Sequence, residues 1–177
     1  MTFTVEDGTG LEDANALVTV AFVDTFAEEM GRDAASLTDG WGNTNAGILD
    51  EDLVILKKKQ AIIAASRWLS SAYQWINKPS TTNQALAWPQ SIEPDAFAFP
   101  HAVKLAVSAA AIRIYQGINM APDLARGGDI ASEKVGPIAI TYSDNASSET
   151  TYTEIDSYLR AYALSGSSTT FILTERL

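Results

Sequence analysis

From Ala102 to Ile114 the chain reads AVKLAVSAAAIRI, nearly all small or apolar. Pro100 suits the first position of a helix here, where a missing N–H costs nothing. Gly117 and Pro122 close the segment, because proline cannot continue a helix. A helix that is apolar on most of its sides has no face to offer water. It must be the buried helix of the domain, and the other elements must be arranged around it.

Those elements can be read from spacing and punctuation. Glu6-Asp7-Gly8-Thr9-Gly10-Leu11 is turn chemistry, with two glycines that break any regular element. A short helix follows, with Thr19 as N-cap and Gly31 at the left-handed C-terminal position. Val20, Val23 and Ala27 share one of its faces, with Phe22 and Phe26 beside it. Residues 31–49, rich in Gly, Asn, Thr and Asp, read as a loop.

The longest helix signal runs from about Asp50 to Ile76, where Ile55, Ile62, Leu69, Tyr73 and Ile76 form one apolar stripe. Its first turn holds Asp50, Glu51 and Asp52 at the positive end of the helix dipole. Lys57, Lys58 and Lys59 are consecutive and fan around the axis at about 100° per residue. Pro79, Pro89 and Pro94 mark residues 79–99 as an extended connector.

Beyond the apolar helix the period changes. Asp129–Val135 and Ile138–Tyr142 flank Gly136-Pro137, and Ile138, Ile140 and Tyr142 alternate with Ala139 and Thr141. That is a β-hairpin or arm. A last helix starts near Thr153, with Asp156 three residues on in a near-capping-box arrangement. Ile155, Tyr158, Leu159 and Tyr162 supply its apolar face. Ser165-Gly166-Ser167-Ser168 reads as a flexible linker before a β-prone tail, Thr169–Leu177. The expectation is a mainly α fold: a small bundle of about four helices with an inserted β-hairpin and an extended C-terminal tail. Residues 1–164 form the helical domain, with the arm near 128–143, and residues 165–177 form the linker and docking tail.

Composition narrows the function. With 177 residues and 46% hydrophobic content, the chain has enough apolar material for one domain with a real core. It lacks cysteine and has a single histidine, His101, which leaves little from which to build a thiolate metal site, a zinc site or a histidine triad. No nucleophile, base and orienting residue can be assembled, so no enzyme, cofactor or metal is expected. No apolar run approaches the ~20 residues of a membrane span, and no secretory signal opens the chain.

The net charge of -10 is unevenly spread. Residues 1–52 carry 12 acids and one base, Arg32, whereas residues 53–134 carry 5 acids and 9 bases. An acidic chain lacks the basic footprint of a free-standing nucleic-acid binder, although a local patch could survive. Negative charge also keeps a protein dispersed, and complementary ends can meet in neighbouring subunits.

Several motifs carry two readings. Asp50-Glu51-Asp52 has metal-ligand chemistry, but consecutive helical carboxylates diverge, and helix-start stabilisation accounts for them better. Arg126-Gly127-Gly128-Asp129 is glycine-rich but lacks the phosphate-loop Lys and Ser/Thr, so it reads as a turn. Trp68, Trp75 and Trp88, with Tyr73, have the chemistry of a stacking platform for single-stranded nucleic acid. Trp68 and Trp75 are seven residues apart on one helix side, which is more often the pattern of core or interface. Arg67 and Lys78 lie close to them in sequence.

Five segments in order then resemble a known family. They are Val5–Leu11 with Asp13-Ala14-Asn15; Gln84-Ala85-Leu86-Ala87-Trp88-Pro89; Ala102-Val103-Lys104; Pro122-Asp123-Leu124; and Arg126-Gly127-Gly128 through Ser132-Glu133-Lys134-Val135-Gly136-Pro137. Together they resemble the head-to-tail connector (adaptor or head-completion) proteins of tailed phages and prophages. Some relatives of that family carry the label "putative DnaT-like single-stranded DNA-binding protein". The stretch after the first helix is longer and richer in Gly and Asn than the family pattern, and the final tail has no counterpart.

The resemblance implies a virion structural protein, an adaptor subunit of a ring, expected to be a dodecamer, at the head–tail junction. Its partners would be copies of itself, the portal protein, and stopper or tail proteins. Genomic double-stranded DNA would pass through the lumen without sequence-specific binding, and no membrane is involved. Assembly would take place in the host cytoplasm. The expected contacts are Lys134, Gly136 and Pro137 of the arm between neighbours, and Phe171, Ile172 and Leu173 of the tail on a partner. The alternative is a single-stranded DNA-binding accessory protein, as the second family label states.

Overall fold

Helix α3, His101–Tyr115, is the element around which the others pack in a computed structural model of the chain. The structure describes residues 2–33, 40–42, 51–91, 99–121, 132–135, 138–141 and 151–165. In order, the elements are α1 (Val20–Glu29), α2 (Glu51–Ala72), β1 (Gln74–Trp75), α3, β2 (Ser132–Val135), β3 (Ile138–Thr141), α4 (Thr153–Leu159) and β4 (Ala163–Ser165). Among the described residues the fold is therefore mainly helical, with four helices and two small antiparallel sheets, β1–β4 and β2–β3. No described helix is long and apolar enough to cross a membrane.

The expected burial of α3 is met. Val103, Ala106, Val107 and the run Ser108–Ile112 are all buried. Its most extensive contacts are with α2, followed by α4 and α1. From α2 come Ala61, Ile62, Ile63, Ala65 and Leu69; from α4, Ile155 and Leu159; from α1, Val23, Phe26 and Ala27. Fully burying a Val, Leu or Ile side chain contributes about 1.5–3 kcal/mol each. Four fully buried alanines, Ala106, Ala109, Ala110 and Ala111, add little apolar area but leave room for neighbouring helices to lie close. Polar groups inside this core are satisfied locally. Ser108 Oγ donates to Lys104 O, and Ser66 Oγ donates to Ile62 O while accepting the Leu17 N–H from outside the helix.

Helix α1 follows its sequence signals. Thr19 is the N-cap and accepts the Phe22 N–H, and Gly31 takes a φ of 62° just beyond the C-cap. Pro100 is one position earlier than expected, serving as the N-cap of α3, and Gly117 (φ 87°) ends that helix as expected. Thr153 is the first residue of α4 rather than its cap. Asp156 closes no capping box there; its carboxylate accepts the Tyr73 hydroxyl at 2.7 Å, across 83 residues of sequence.

Helix α2 stops at Ala72, four residues short of the expected Ile76. The chain leaves the helix because Gln74 and Trp75 pair with β4, and the Ile76 N–H donates to Tyr162 O. A strand partner nearly 90 residues away overrides the helical periodicity. The stripe is consequently buried only in its middle: Ile62, Leu69 and Tyr73 are inside, while Ile55 and Ile76 are exposed. Ser165, expected in the linker, belongs to β4 and pairs with Gln74.

The hairpin lies where the alternation placed it. Ser132 faces Thr141, Glu133 faces Ile140, Lys134 faces Ala139 and Val135 faces Ile138. The residues between 79 and 91 form more than an extended connector. Pro79 bridges to Gln90, the Gln84 amide donates to both Leu86 O and Pro89 O, and Trp88 is fully buried beneath. The Trp88–Pro89 bond is cis.

The opening turn is held by a residue that pattern reading passes over. Glu6 is buried, and its carboxylate accepts three backbone N–H groups, from Gly8 and Gly10 at Oε1 and from Leu11 at Oε2. Three charge-assisted bonds satisfy a carboxylate taken out of water. The turn needs Gly10 twice over: its φ is 82°, and a Cβ there would sit 2.8 Å from Thr81 Oγ1. Nearby, Asp7 lies below the usual carboxylate range because the Thr9 hydroxyl and N–H bond to it.

Elsewhere in the bundle, Glu154 at the start of α4 ties it to α3 and to the residues just beyond α1. Arg113 of α3 donates to Oε2 at 2.8 Å, and Arg32, just beyond α1, forms a close ion pair with Oε1 at 3.0 Å. Burial pushes the Glu154 carboxyl up, but the two guanidinium groups outweigh it and hold it below its ordinary value.

Two predictions follow from this packing. Ala109→Leu forces extra methylenes between helices and lowers stability by about 1–3 kcal/mol, measured by urea denaturation; an unchanged midpoint would show that α3 has room to spare. A carboxyl depressed in the folded state contributes stability that is full above its unfolded pKa and is lost as pH falls through the folded value. Wild type should therefore lose more stability than Glu154→Gln as pH falls below about 4.5. The difference, discounted for solvent screening at this partly exposed triad, is about 1 kcal/mol by denaturation at each pH.

Candidate interaction surfaces

Two ingredients of a strand-binding surface were visible in the sequence, aromatic rings and bases. The structure packs the rings against one another and leaves every described base exposed or half-buried. Trp88 and Tyr73 are buried, and Trp68 and Trp75 are half-buried. Their rings meet each other edge-on or tilted: Trp68 with Tyr73 at 5.8 Å, Tyr73 with Trp75 at 5.8 Å, and Trp75 with Trp88 at 5.4 Å. Trp88 also meets Phe99 and Tyr162, and Trp68 meets Tyr152. Such pairs add about 0.5–1.5 kcal/mol each beyond area burial. The four residues come together as one packed network, in line with the core reading, rather than as an open platform.

The lysines fan around α2, and each reaches a different ring. Lys57 lies 5.3 Å from the Tyr115 centroid, Lys58 5.3 Å from Trp41, and Lys59 5.8 Å from Phe3. Burial pushes the Tyr115 hydroxyl up, and the ring beneath Lys57 offers that cation its electron-rich face. Lys104 lies against Phe22 and Phe99. Lys58 also donates to Asp24 Oδ1 at 2.7 Å, and the Trp41 indole N–H donates to the same oxygen at 2.6 Å. Trp41 is buried although its sequence neighbourhood reads only as a polar loop. The acidic first third and the basic middle thus meet partly within one chain, through Asp24–Lys58, and Arg32 of the first third is taken by Glu154. The complementarity expected between subunits is reduced by that amount. Arg67, Lys78 and Arg160 are exposed.

The remaining candidates separate cleanly. Glu51 and Asp52 are exposed in the first turn of α2, and Asp50 lies outside the described residues. Among the described residues no group of three His, Asp or Glu side chains is arranged to hold a metal. His101 is exposed at the start of α3, its ring edge-on to Phe22 at 5.7 Å. A shallow cleft of about 440 Å³ lies between α4 and β4, lined by Tyr73, Asp156, Arg160 and Leu164 among others. Its Asp156–Tyr73 hydrogen bond ties α4 to the end of α2.

Of the expected contact residues, Lys134 is on β2, opposite Ala139. Gly136 and Pro137, between the strands, lie outside the described residues, as do Phe171, Ile172 and Leu173 and the segment Arg126–Asp129. The hairpin's two strands pair with each other and, among the described residues, with no third strand.

Comparison with known proteins returns no curated protein and no solved structure that matches. No connector protein is therefore returned, and the relationship found is to the second of the two labels that the motifs resemble. Residues 1–176 match a family model, and the chain belongs to the family described as "Putative DnaT-like ssDNA binding protein".

Proposed function

We propose that this chain is a structural subunit: an adaptor in a phage head–tail connector ring that docks on the portal and extends the DNA channel toward the tail. It performs no catalysis and needs no cofactor. The observation that carries this reading is the hairpin β2–β3, a two-stranded sheet whose strands have no third partner among the described residues. An isolated two-stranded hairpin is marginal in water. It gains stability when its edge adds to a strand of a neighbour, where backbone hydrogen bonds supply affinity. The same hairpin carries Lys134, within the longest of the motifs that resemble the connector family. Repeated head-to-tail contacts of this kind close into a ring.

The second reading is a single-stranded DNA-binding protein, and the family description favours it. Against it stand the geometry of the rings, which pack edge-on or tilted against one another, and of Lys57, Lys58, Lys59 and Lys104, which lie against rings of the same chain. Arg67, Lys78 and Arg160 remain as exposed bases from which such a site could be built. Three phosphate contacts on a single strand would give a salt slope of only about -2.

Filter binding of an unpaired oligonucleotide at two salt concentrations, beside negative-stain imaging of the protein mixed with portal rings, separates the two. The adaptor binds little oligonucleotide at either salt and adds a layer to the portal. Tight, steeply salt-dependent binding without portal attachment would replace this reading with the second. Deleting residues 169–177 should weaken portal docking by about tenfold or more while the helical circular-dichroism signal is retained. Unchanged docking removes Phe171, Ile172 and Leu173 from the interface.

A further inference from the structure

The solvent side of α2 carries no acid, in a chain whose net charge is -10. Leu53, Gln60 and Arg67 recur every seven residues, with Leu56, Lys57 and Ala64 between them, and all six are exposed. At about 100° and 1.5 Å per residue they form one stripe ~21 Å long. It lies on the side of the helix away from the buried Ile62, Ala65 and Leu69. Both acids of α2, Glu51 and Asp52, precede it.

The charges decide what can cover such a stripe. Two copies of it packed antiparallel about their midpoints would set Lys57 of each against Arg67 of the other, and like charges oppose that contact. The complement is a surface along which a helix can lie and which supplies acids. Among the described helices only α1 presents one. Ala21, Thr25, Glu28 and Glu29 form its exposed stripe, opposite the buried Val23, Phe26 and Ala27, and the helix contains no base. The exposed Met30 follows them. Helix α3 is largely buried, and the exposed residues of α4 and its C-cap are Thr153, Ser157 and Arg160. The ten residues of α1 span the same ~15 Å as Lys57 to Arg67. Ala21, Thr25 and Ala64 are small enough for two axes to approach to about 8–10 Å.

We propose that the outer face of α2 in one copy of this chain lies antiparallel along the outer face of α1 in the next. That direction sets Lys57 against Glu28 and Glu29, Met30 beside Leu53 and Leu56, and Thr25 over Gln60 and Ala64. It covers three exposed apolar side chains and joins the basic stripe of one copy to the acidic stripe of another. Each copy uses two different faces, so the contact is heterologous and repeats from copy to copy, as a closed ring requires. The assignment rests on the ring-subunit reading and adds to it which helices meet.

The chain has no cysteine, so single introduced cysteines report contacts without background. Full-length Thr25→Cys and Ala64→Cys, mixed and treated with a short bis-maleimide, should give a covalent dimer that neither gives alone. Ala85→Cys, exposed and on neither stripe, should give none with either. Adding Lys57→Glu to the Ala64→Cys chain should lower the cross-linked yield about tenfold. Placing Glu28→Lys and Glu29→Lys on the Thr25→Cys chain should then restore it. Every altered side chain is exposed, so the helical circular-dichroism signal should stay unchanged. Absence of the Thr25–Ala64 dimer, an Ala64→Cys chain that cross-links with itself, or a yield indifferent to Lys57→Glu overturns the assignment. So does loss of oligonucleotide binding in Lys57→Glu without any such dimer, which would make the stripe a nucleic-acid contact. A portal layer that forms without the cross-link removes this contact and leaves the adaptor reading standing; a cross-link without a portal layer does the reverse.

Discussion

The close packing of α3 against α2 and α4 is the constraint on which the remaining structure depends. Ala106, Ala109, Ala110 and Ala111 are fully buried, so the central helix is surfaced by single methyl groups at half of its buried positions. Neighbours that lie against so thin a surface must themselves carry the bulk. Ile62 and Leu69 do so from α2, and Ile155 and Leu159 do so from α4. Once those helices are placed, their ends are decided too. The far end of α2 arrives beside β4, and the start of α4 arrives between Arg32 and Arg113.

What could be read directly from the chain was what composition and local chemistry express. The burial of α3 is spelled out residue by residue, Thr19 and Gly31 bound α1 by chemistry that acts within a few residues, and the hairpin shows in the alternation of Ile138 to Thr141. What escaped depends on partners far away. The stop at Ala72 is set by β4, and the position of Asp156 by Tyr73. Glu6 was hidden for another reason. Its role exists only once Gly8 and Gly10 have turned three N–H groups inward, and before that it is one acid among twelve. Trp88 is similar: its ring reads equally as a stacking surface or as core until Phe99, Trp75 and Tyr162 are seen around it. The expected contact residues of the hairpin turn and the tail lie outside the described residues, so only Lys134 among them has a place in the fold.

The charge distribution acquires a different meaning in three dimensions. Counted along the chain, an acidic third and a basic middle suggest two faces waiting for other molecules. In the fold much of the basic middle is already occupied, by rings for Lys57, Lys59 and Lys104 and by Asp24 for Lys58. The acids of α1 that remain, Glu28 and Glu29, are exposed with no basic residue in the last turn of their helix. An ion pair removes one charge of each sign and a ring leaves its lysine charged, so the net charge stays at -10 while several bases already have a partner in the same chain.

The way the first residues are tied down bears on how the molecule is made. Leu17 donates to Ser66, Gly10 accepts from Thr81, Glu12 accepts from Asn83, and Leu11 accepts from Ala85. Synthesis runs from the N-terminus at about 5–20 residues per second, so the opening turn leaves the ribosome several seconds before any of these partners exists. Until then it can form only its own small loop around Glu6. The contacts of the opening turn therefore close only once residues 66–85 have been made.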